Sequence, residues 1–251
     1  MDEMEVETVE EVDLDDPVFV EGLPGVGHVG KLVVEHLIEE TDSTPVARIY
    51  SEHFPPQVEV DEDGVAELAN ATVHAATTSG RDLLLLTGNH QASETVGHYR
   101  LTEAFLDLAA EYDVTEVFAL GGVPTGELIE EYGVLGAVAD QDLKDRLEEA
   151  GVEFRAEEPA GGIVGTSGLL LGLGARRGLE AACLMGETSG YLVDPKSARA
   201  VLEVLQDLLD FEVDFEALDE RADEMEDVIS RLQEMEEAPS PGSDEDLRYI
   251  G

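Results

Sequence analysis

Four stretches of this sequence carry residue types that could do chemistry. The first is Gly25-Val26-Gly27-His28-Val29-Gly30, which has the form G-x-G-x-x-G between an apolar run and a helical pattern. In a strand–loop–helix unit, such glycines let a pyrophosphate approach the helix N-terminus, whose unpaired N–H groups attract it. That chemistry also wants an acid for the ribose at the end of the second strand, about twenty residues on. Glu52 lies nearby, but it follows Tyr50 and Ser51 and precedes His53-Phe54-Pro55-Pro56, and Pro24 is foreign to the pattern. Two readings stand: a nucleotide loop, or a tight strand–helix turn whose glycines serve packing.

The second stretch is Asn89-His90-Gln91 with Glu94, a polar set at the end of the apolar run 82–87. His90 and His98 are eight residues apart, as are His28 and His36, but no third ligand stands at metal spacing. No metal is expected, and the histidines read as solvated or hydrogen-bonded. The third is Glu187-Thr188-Ser189, just past a strand predicted over 180–185; beside a functional role stands a capped loop whose hydroxyls satisfy nearby backbone. Cys183 lies inside that strand and reads as a small core residue rather than a nucleophile. Thr166-Ser167-Gly168 lacks the G-x-S-x-G elbow of a hydrolase. The fourth is the end of the chain, where Leu247-Arg248-Tyr249-Ile250-Gly251 follows an acidic Pro/Gly/Ser-rich stretch. It reads either as a tethered docking peptide or as a frayed terminus.

The elements that must position these groups alternate. Strands are predicted near 16–22, 46–50, 72–78, 82–87, 115–120, 133–139 and 180–185, with a hairpin about the turn Asp61-Glu62-Asp63-Gly64 and an edge strand over 151–156. Helices are predicted over 28–40, 93–112, 141–150, 169–175 and 197–209. The helix 169–175 is apolar nearly all round, which predicts burial. Buried strands alternating with helices imply an α/β domain of three layers, α/β/α, with a mostly parallel sheet. Glycine loops near Gly25, Gly88, Gly121-Gly122 and Gly186 then gather at the carboxyl edge, where open sheets meet ligands. The domain spans 16–214, after an acidic, loosely attached segment 1–15. A helix over 215–237 follows, with Phe215, Leu218, Ala222, Met225, Ile229 and Leu232 at heptad spacing, and then a flexible tail 238–251.

Composition narrows the function. Among 251 residues, 59 are acidic and 14 basic, a net charge of −45 spread along the chain. No basic patch is left to neutralise phosphates, which excludes nucleic acid as a partner. A surface of this kind stays hydrated in concentrated salt, which screens its self-repulsion, so the chain reads as halophilic and archaeal. The acidic N-terminus is the opposite of a signal peptide, no apolar run is long enough to span a membrane, and there is one cysteine, all fitting a cytoplasmic protein.

Taken in order, Phe19-Val20-Glu21-Gly22-Leu23-Pro24-Gly25-Val26-Gly27-His28-Val29-Gly30, Gly121-Gly122, Gly165-Thr166-Ser167-Gly168-Leu169-Leu170-Leu171, Leu184-Met185-Gly186-Glu187-Thr188 and Asp194-Pro195 resemble the archaeal members of the proteasome assembly chaperone 2 family. The resemblance covers about residues 16–236. It implies a three-layer fold related to nucleoside phosphorylases, a homo-oligomer, and a non-catalytic protein, without cofactor, that binds proteasome core particle subunits. Some relatives end in a hydrophobic–tyrosine–any residue motif that enters pockets on the α-ring. Here Tyr249 is third from the end, Arg248 precedes it and Ile250 follows, which makes Leu247, Tyr249 and Ile250 the candidate partner-binding residues. The alternative is a protein or enzyme that binds a nucleotide or nucleoside along an edge formed by Gly25, Gly27, His28, Gly30, Asn89, Gly122 and Glu187.

Overall fold

The computed structural model describes residues 3–61, 63–127, 129, 131–156 and 162–225. The chain opens with a strand, β1 (Met4–Thr8), and β2 (Val18–Gly22), whose five residues are all buried. A single 3-10 turn, Val26–His28, leads into α1 (Val29–Glu40). The strand β3 (Asp42–Ser51) is followed by a small separate hairpin, β4 (Val58–Val60) and β5 (Ala66–Leu68), and then by β6 (Asn70–Thr77) and β7 (Leu83–Gly88). Next come α2 (Thr95–Glu111), β8 (Glu116–Pro124), β9 (Val134–Val138) and α3 (Gln141–Glu149). The described chain ends with α4 (Gly165–Arg177), β10 (Glu180–Thr188), α5 (Pro195–Leu209) and a last helix seen over 216–225. Asp194 caps α5 by accepting from the Ser197 N–H at 3.1 Å, with Pro195 in the first turn where it forfeits no bond.

Eight strands form one sheet in the order β1-β3-β6-β7-β2-β8-β10-β9. The central four, β7-β2-β8-β10, run parallel, and their mainly apolar sequences suit strands covered on both faces. Both flanks are antiparallel: β6 returns directly into β7, β3 and β1 extend that side, and β9 closes the other against β10. A connection as short as that between β6 and β7 cannot make a parallel crossover.

Successive strand residues point to opposite faces, so each strand feeds two cores. Val18, Val20, Leu83, Leu85, Phe118 and Leu184 pack under α1, α3 and α5. Phe19, Leu84, Leu86, Val117, Cys183 and Met185 pack under α2 and α4. This is the expected three-layer α/β/α arrangement.

Three details differ from the sequence reading. The segment 1–15 is not loose throughout: Met4–Thr8 pairs with β3 as the edge strand, its alternating Met-Glu-Val-Glu-Thr outweighing the acidic composition. The apolar helix α4 is not buried all round. It buries Thr166, Leu170 and Gly174, and it exposes Gly172 and Ala175 and, in its last turn, Arg176 and Arg177. Residues 151–156 form only a single bridge, Leu135 with Glu153, instead of a strand. The helix from 216 lays Leu218 and Ala222 against the body, and Phe215 stacks on His36 at 6.5 Å beneath the Arg199 guanidinium. The expected continuation to 237 and the tail 238–251 lie outside the described residues.

Candidate functional site

The carboxyl ends of β7, β2, β8 and β10 bring the glycine loops to one edge, in that spatial order. The loop after β2 is the tightest. Gly27 has φ +63°, a left-handed conformation that favours glycine, and His28 follows at +53°, exposed. The other glycines there are forced by contact. A Cβ on Gly22 would stand 2.3 Å from the Gly30 carbonyl, one on Gly30 2.3 Å from the Leu120 carbonyl, and one on Gly122 2.4 Å from the Val26 carbonyl. A Cβ on Gly27 would meet the Thr188 hydroxyl at 2.9 Å. The glycines thus seat the loop and the start of α1 on β8 and β10. Gly25 and Gly121 face open space. In a nucleotide loop the second glycine leaves room for pyrophosphate; at Gly27 the side chain of Thr188 fills that place.

The polar candidates fall into separate groups. On the β7 side, Asn89 accepts from the Lys31 ammonium and donates to Glu59, and His90 lies 2.9 Å from another Glu59 oxygen. Lys31 also pairs with Glu35 at 3.2 Å. Gln91 donates to the Pro24 carbonyl at 2.6 Å and so ties this side to the glycine loop. On the β10 side, Glu187 is paired with Arg155 at 2.7 Å, and its N–H donates to the Gly133 carbonyl at 2.9 Å. Between them Thr188, fully buried, accepts from the Gly190 N–H, and Asp194 donates its N–H to the Gly27 carbonyl at 2.9 Å. Asn89 and Glu187 stand three strand spacings apart, roughly 14 Å. The seven residues Gly25, Gly27, His28, Gly30, Asn89, Gly122 and Glu187 share an edge but do not converge on one point.

His36 and His98 take structural places. His36 is fully buried, 2.6 Å from the Asp214 carbonyl, and burial holds His98 below the usual imidazole range. Among the described residues no group of three or more His, Cys, Asp or Glu is placed to hold a metal ion. Cys183 is buried, and burial together with nearby Glu21 pushes its thiol far up. Leu247, Tyr249 and Ile250 lie outside the described residues.

Sequence reasoning missed Glu21. It sits in the otherwise apolar strand β2, fully buried, and accepts from the Leu23 N–H at 3.0 Å and from the Ser167 hydroxyl at 2.9 Å. Burial pushes its carboxyl up to about 7, against the lowering effect of those two donors. It joins the glycine loop to the first turn of α4, whose N-terminal dipole favours a negative charge. The signal was present: one carboxylate inside Val18-Phe19-Val20-Glu21-Gly22 must be satisfied somewhere.

Lys31, Asn89, His90, Gln91 and Glu187 at this edge are thus bonded to neighbours, and the chain's likeness to known proteins is specific. A sequence model of the PAC2 family matches residues 19–233. An uncharacterized protein of Methanocaldococcus jannaschii is 40% identical over 244 residues, 95% of this chain and 93% of that protein. The crystal structure of Pyrococcus furiosus PbaB, described as an archaeal proteasome activator, superposes with a TM-score of 0.87 at 39% identity, covering 93% of this chain and all of that one. Pyrococcus furiosus PbaA, described as an archaeal homolog of proteasome-assembly chaperone, superposes with a TM-score of 0.76 at 26% identity, covering 92% and 93%.

Proposed function

The chain belongs to the PAC2 family, and on that premise we propose that it is a non-catalytic, proteasome assembly chaperone-like protein that binds core particle subunits. One observation carries the reading: the whole folded body is 39% identical to a protein described as an archaeal proteasome activator and superposes on it. The edge supports it. The second glycine of the pattern, Gly27, which a nucleotide would need bare, is met by Thr188, and the charged groups Lys31, Glu59, Glu187 and Arg155 are paired with one another or their neighbours. Binding therefore falls to surfaces outside this edge, and we assign Leu247, Tyr249 and Ile250 as one of them, contacting the α-ring. No described helix is long and apolar enough to cross a membrane. A homo-oligomer working in a salt-rich cytoplasm is the setting we propose for a surface of net charge −45.

The test is co-purification from a high-salt extract, comparing the full chain with one ending at Glu237. Recovery of α subunits with the full chain alone places the contact in the tail; recovery with both places it in the body. Recovery with neither refutes the proteasome-binding reading.

A further inference from the structure

The buried carboxyl of Glu21 sits where three segments meet. On β2 it alternates onto the face of Phe19, the side covered by α2 and α4. One oxygen accepts from the Leu23 N–H of the glycine loop, and the other from the Ser167 hydroxyl in the first turn of α4. Gln91, after β7, completes the junction: its amide donates to the Pro24 carbonyl, and a Cβ on Gly165 would stand 2.9 Å from its side-chain oxygen. The register sets Leu86 of β7 and Ala119 of β8 beside Glu21. The titratable groups of the surrounding elements are engaged elsewhere or exposed. Cys183 on β10 feels the Glu21 charge and is held as a thiol. His98 on α2 is moved by burial alone. Glu116, at the far end of β8, pairs with Arg81, and Glu187, near the end of β10, with Arg155. Lys31 on α1 is held by Asn89 and Glu35. Glu180 of β10, Arg100, Glu103, Asp107 and Glu111 of α2, and Arg176 and Arg177 of α4 are exposed.

Ser167 suits both protonation states of this carboxyl, since a hydroxyl can accept as well as donate. A neutral Glu21 donates its O–H to Ser167 while Leu23 donates to the other oxygen. An ionised Glu21 sets a full charge in the core against two neutral donors, and burial outweighs them. Relief of that charge needs water, and the walls around it differ in how readily they admit it. The strands β7 and β8 are locked to β2 by parallel ladders. The first turn of α4 is the weaker wall. Helices α3 and α5 begin with aspartate caps, Asp140 and Asp194. Helix α4 begins instead at Val164, which is 83% exposed and gives no side-chain cap, and no acidic residue stands in its first turn. Gly165, at φ +77°, and Gly168 lower the local stability of that turn further.

We propose that Glu21 is a proton-operated latch on α4: neutral, it holds the first turn of the helix to the glycine loop, and ionised, it releases that turn and lets water reach the carboxyl edge of the sheet. In the open state the carboxyl meets water and gives up its proton at the ordinary 4.5, against about 7 in the closed state. Closure is therefore fully favoured below pH 4.5, weakens as pH rises toward 7, and weakens little further above it. The opening constant grows about 40-fold between pH 5 and 7 and about twofold more by pH 8. This latch works whether or not the protein binds proteasome subunits.

The experiment is native-state hydrogen exchange on the full chain in buffered concentrated salt from pH 5 to 8, with rates corrected for base-catalysed chemical exchange. The probes are the amides of Leu169, Leu170 and Leu171, which bond the first-turn carbonyls of Gly165, Thr166 and Ser167. The amides of Arg199, Ala200 and Val201, over the capped first turn of α5, are the reference, and those of β7 report global unfolding. In the wild type the α4 amides should open about 40-fold more at pH 7 than at pH 5 and then level off, while the α5 amides hold. Glu21→Gln should flatten the α4 profile, because a glutamine amide donates to Ser167 as the neutral carboxyl does. Ser167→Ala keeps the carboxyl and removes its tie to α4, and should open the α4 amides about fivefold at pH 5 with the α5 amides unmoved. A flat wild-type profile, an equal rise in Glu21→Gln or an equal rise in the α5 amides overturns the proposal. So does unchanged exchange in Ser167→Ala, which decides the matter even where Glu21→Gln fails to fold. Exchange of the α4 amides at the rate of the β7 amides also overturns it, because the turn then opens only with the whole fold.

Discussion

Replacing Glu21 by Gln tests the buried link between the glycine loop and α4. The carboxyl is fully buried and titrates near 7 in the folded protein, against 4.5 for an unperturbed group. The folded state therefore holds this proton more tightly than the unfolded chain does. The stability this contributes is fully present below pH 4.5, falls as pH rises toward 7, and is absent above it. A shift of that size is worth about 3 kcal/mol, at roughly 1.4 kcal/mol per pKa unit. Glutamine has no such proton to lose. Its carbonyl accepts from Leu23 and its amide donates to Ser167, leaving one N–H without a partner at a cost of about 1 kcal/mol. The variant should match or slightly trail the wild type at pH 4.5 and exceed it by about 1–3 kcal/mol at pH 8. Denaturant unfolding in buffered concentrated salt, repeated from pH 4.5 to 8, measures this. The many surface carboxylates titrate in both proteins and cancel in the difference. A difference that stays constant across the range would refute the reasoning, because the carboxyl would then be ionised at all these pH values.

The glycine loop yields a paired prediction. Gly30→Ala drives a methyl into the Leu120 carbonyl and should cost about 1–3 kcal/mol or more, whereas Gly25→Ala, at an extended φ of −147° with nothing within 4 Å, should leave the melting temperature unchanged. Gly172→Ala, in the exposed middle of α4 with open space around it, should stabilise by about 0.5–1 kcal/mol, read as a rise in melting temperature. Cys183, buried and with its thiol held protonated, should resist maleimide labelling at pH 8 in the native protein and label fully in denaturant; labelling of the native protein at the rate of a free thiol would contradict its placement.

Much of the fold was legible because it rests on local pattern. The runs 18–20, 83–86 and 181–185 are apolar on both faces, which a parallel, doubly covered strand requires, and Asp194-Pro195 marks a helix start by cap chemistry alone. What failed depended on neighbours distant in sequence. Met4–Thr8 becomes a strand only because β3 offers an open edge. The outer side of α4 is legible as apolar but not as solvent-facing, since hydropathy cannot separate a glycine or alanine that faces water from one that faces a core. The candidate site was legible as a sheet edge and not as a set of contacts. Gly27 and Thr188 are 161 residues apart, and their packing decides that the loop is filled.

The G-x-G-x-x-G pattern shows why spacing alone could not choose between a ligand loop and a packed turn. Both uses demand a missing Cβ for the same reason, close approach of another atom to the backbone. They differ only in whose atom approaches. Here three of the approaching atoms are carbonyl oxygens of the chain itself, from Gly30, Leu120 and Val26, and the fourth is the Thr188 hydroxyl. Of the four only the Thr188 hydroxyl, beside the second glycine, stands where a pyrophosphate would come.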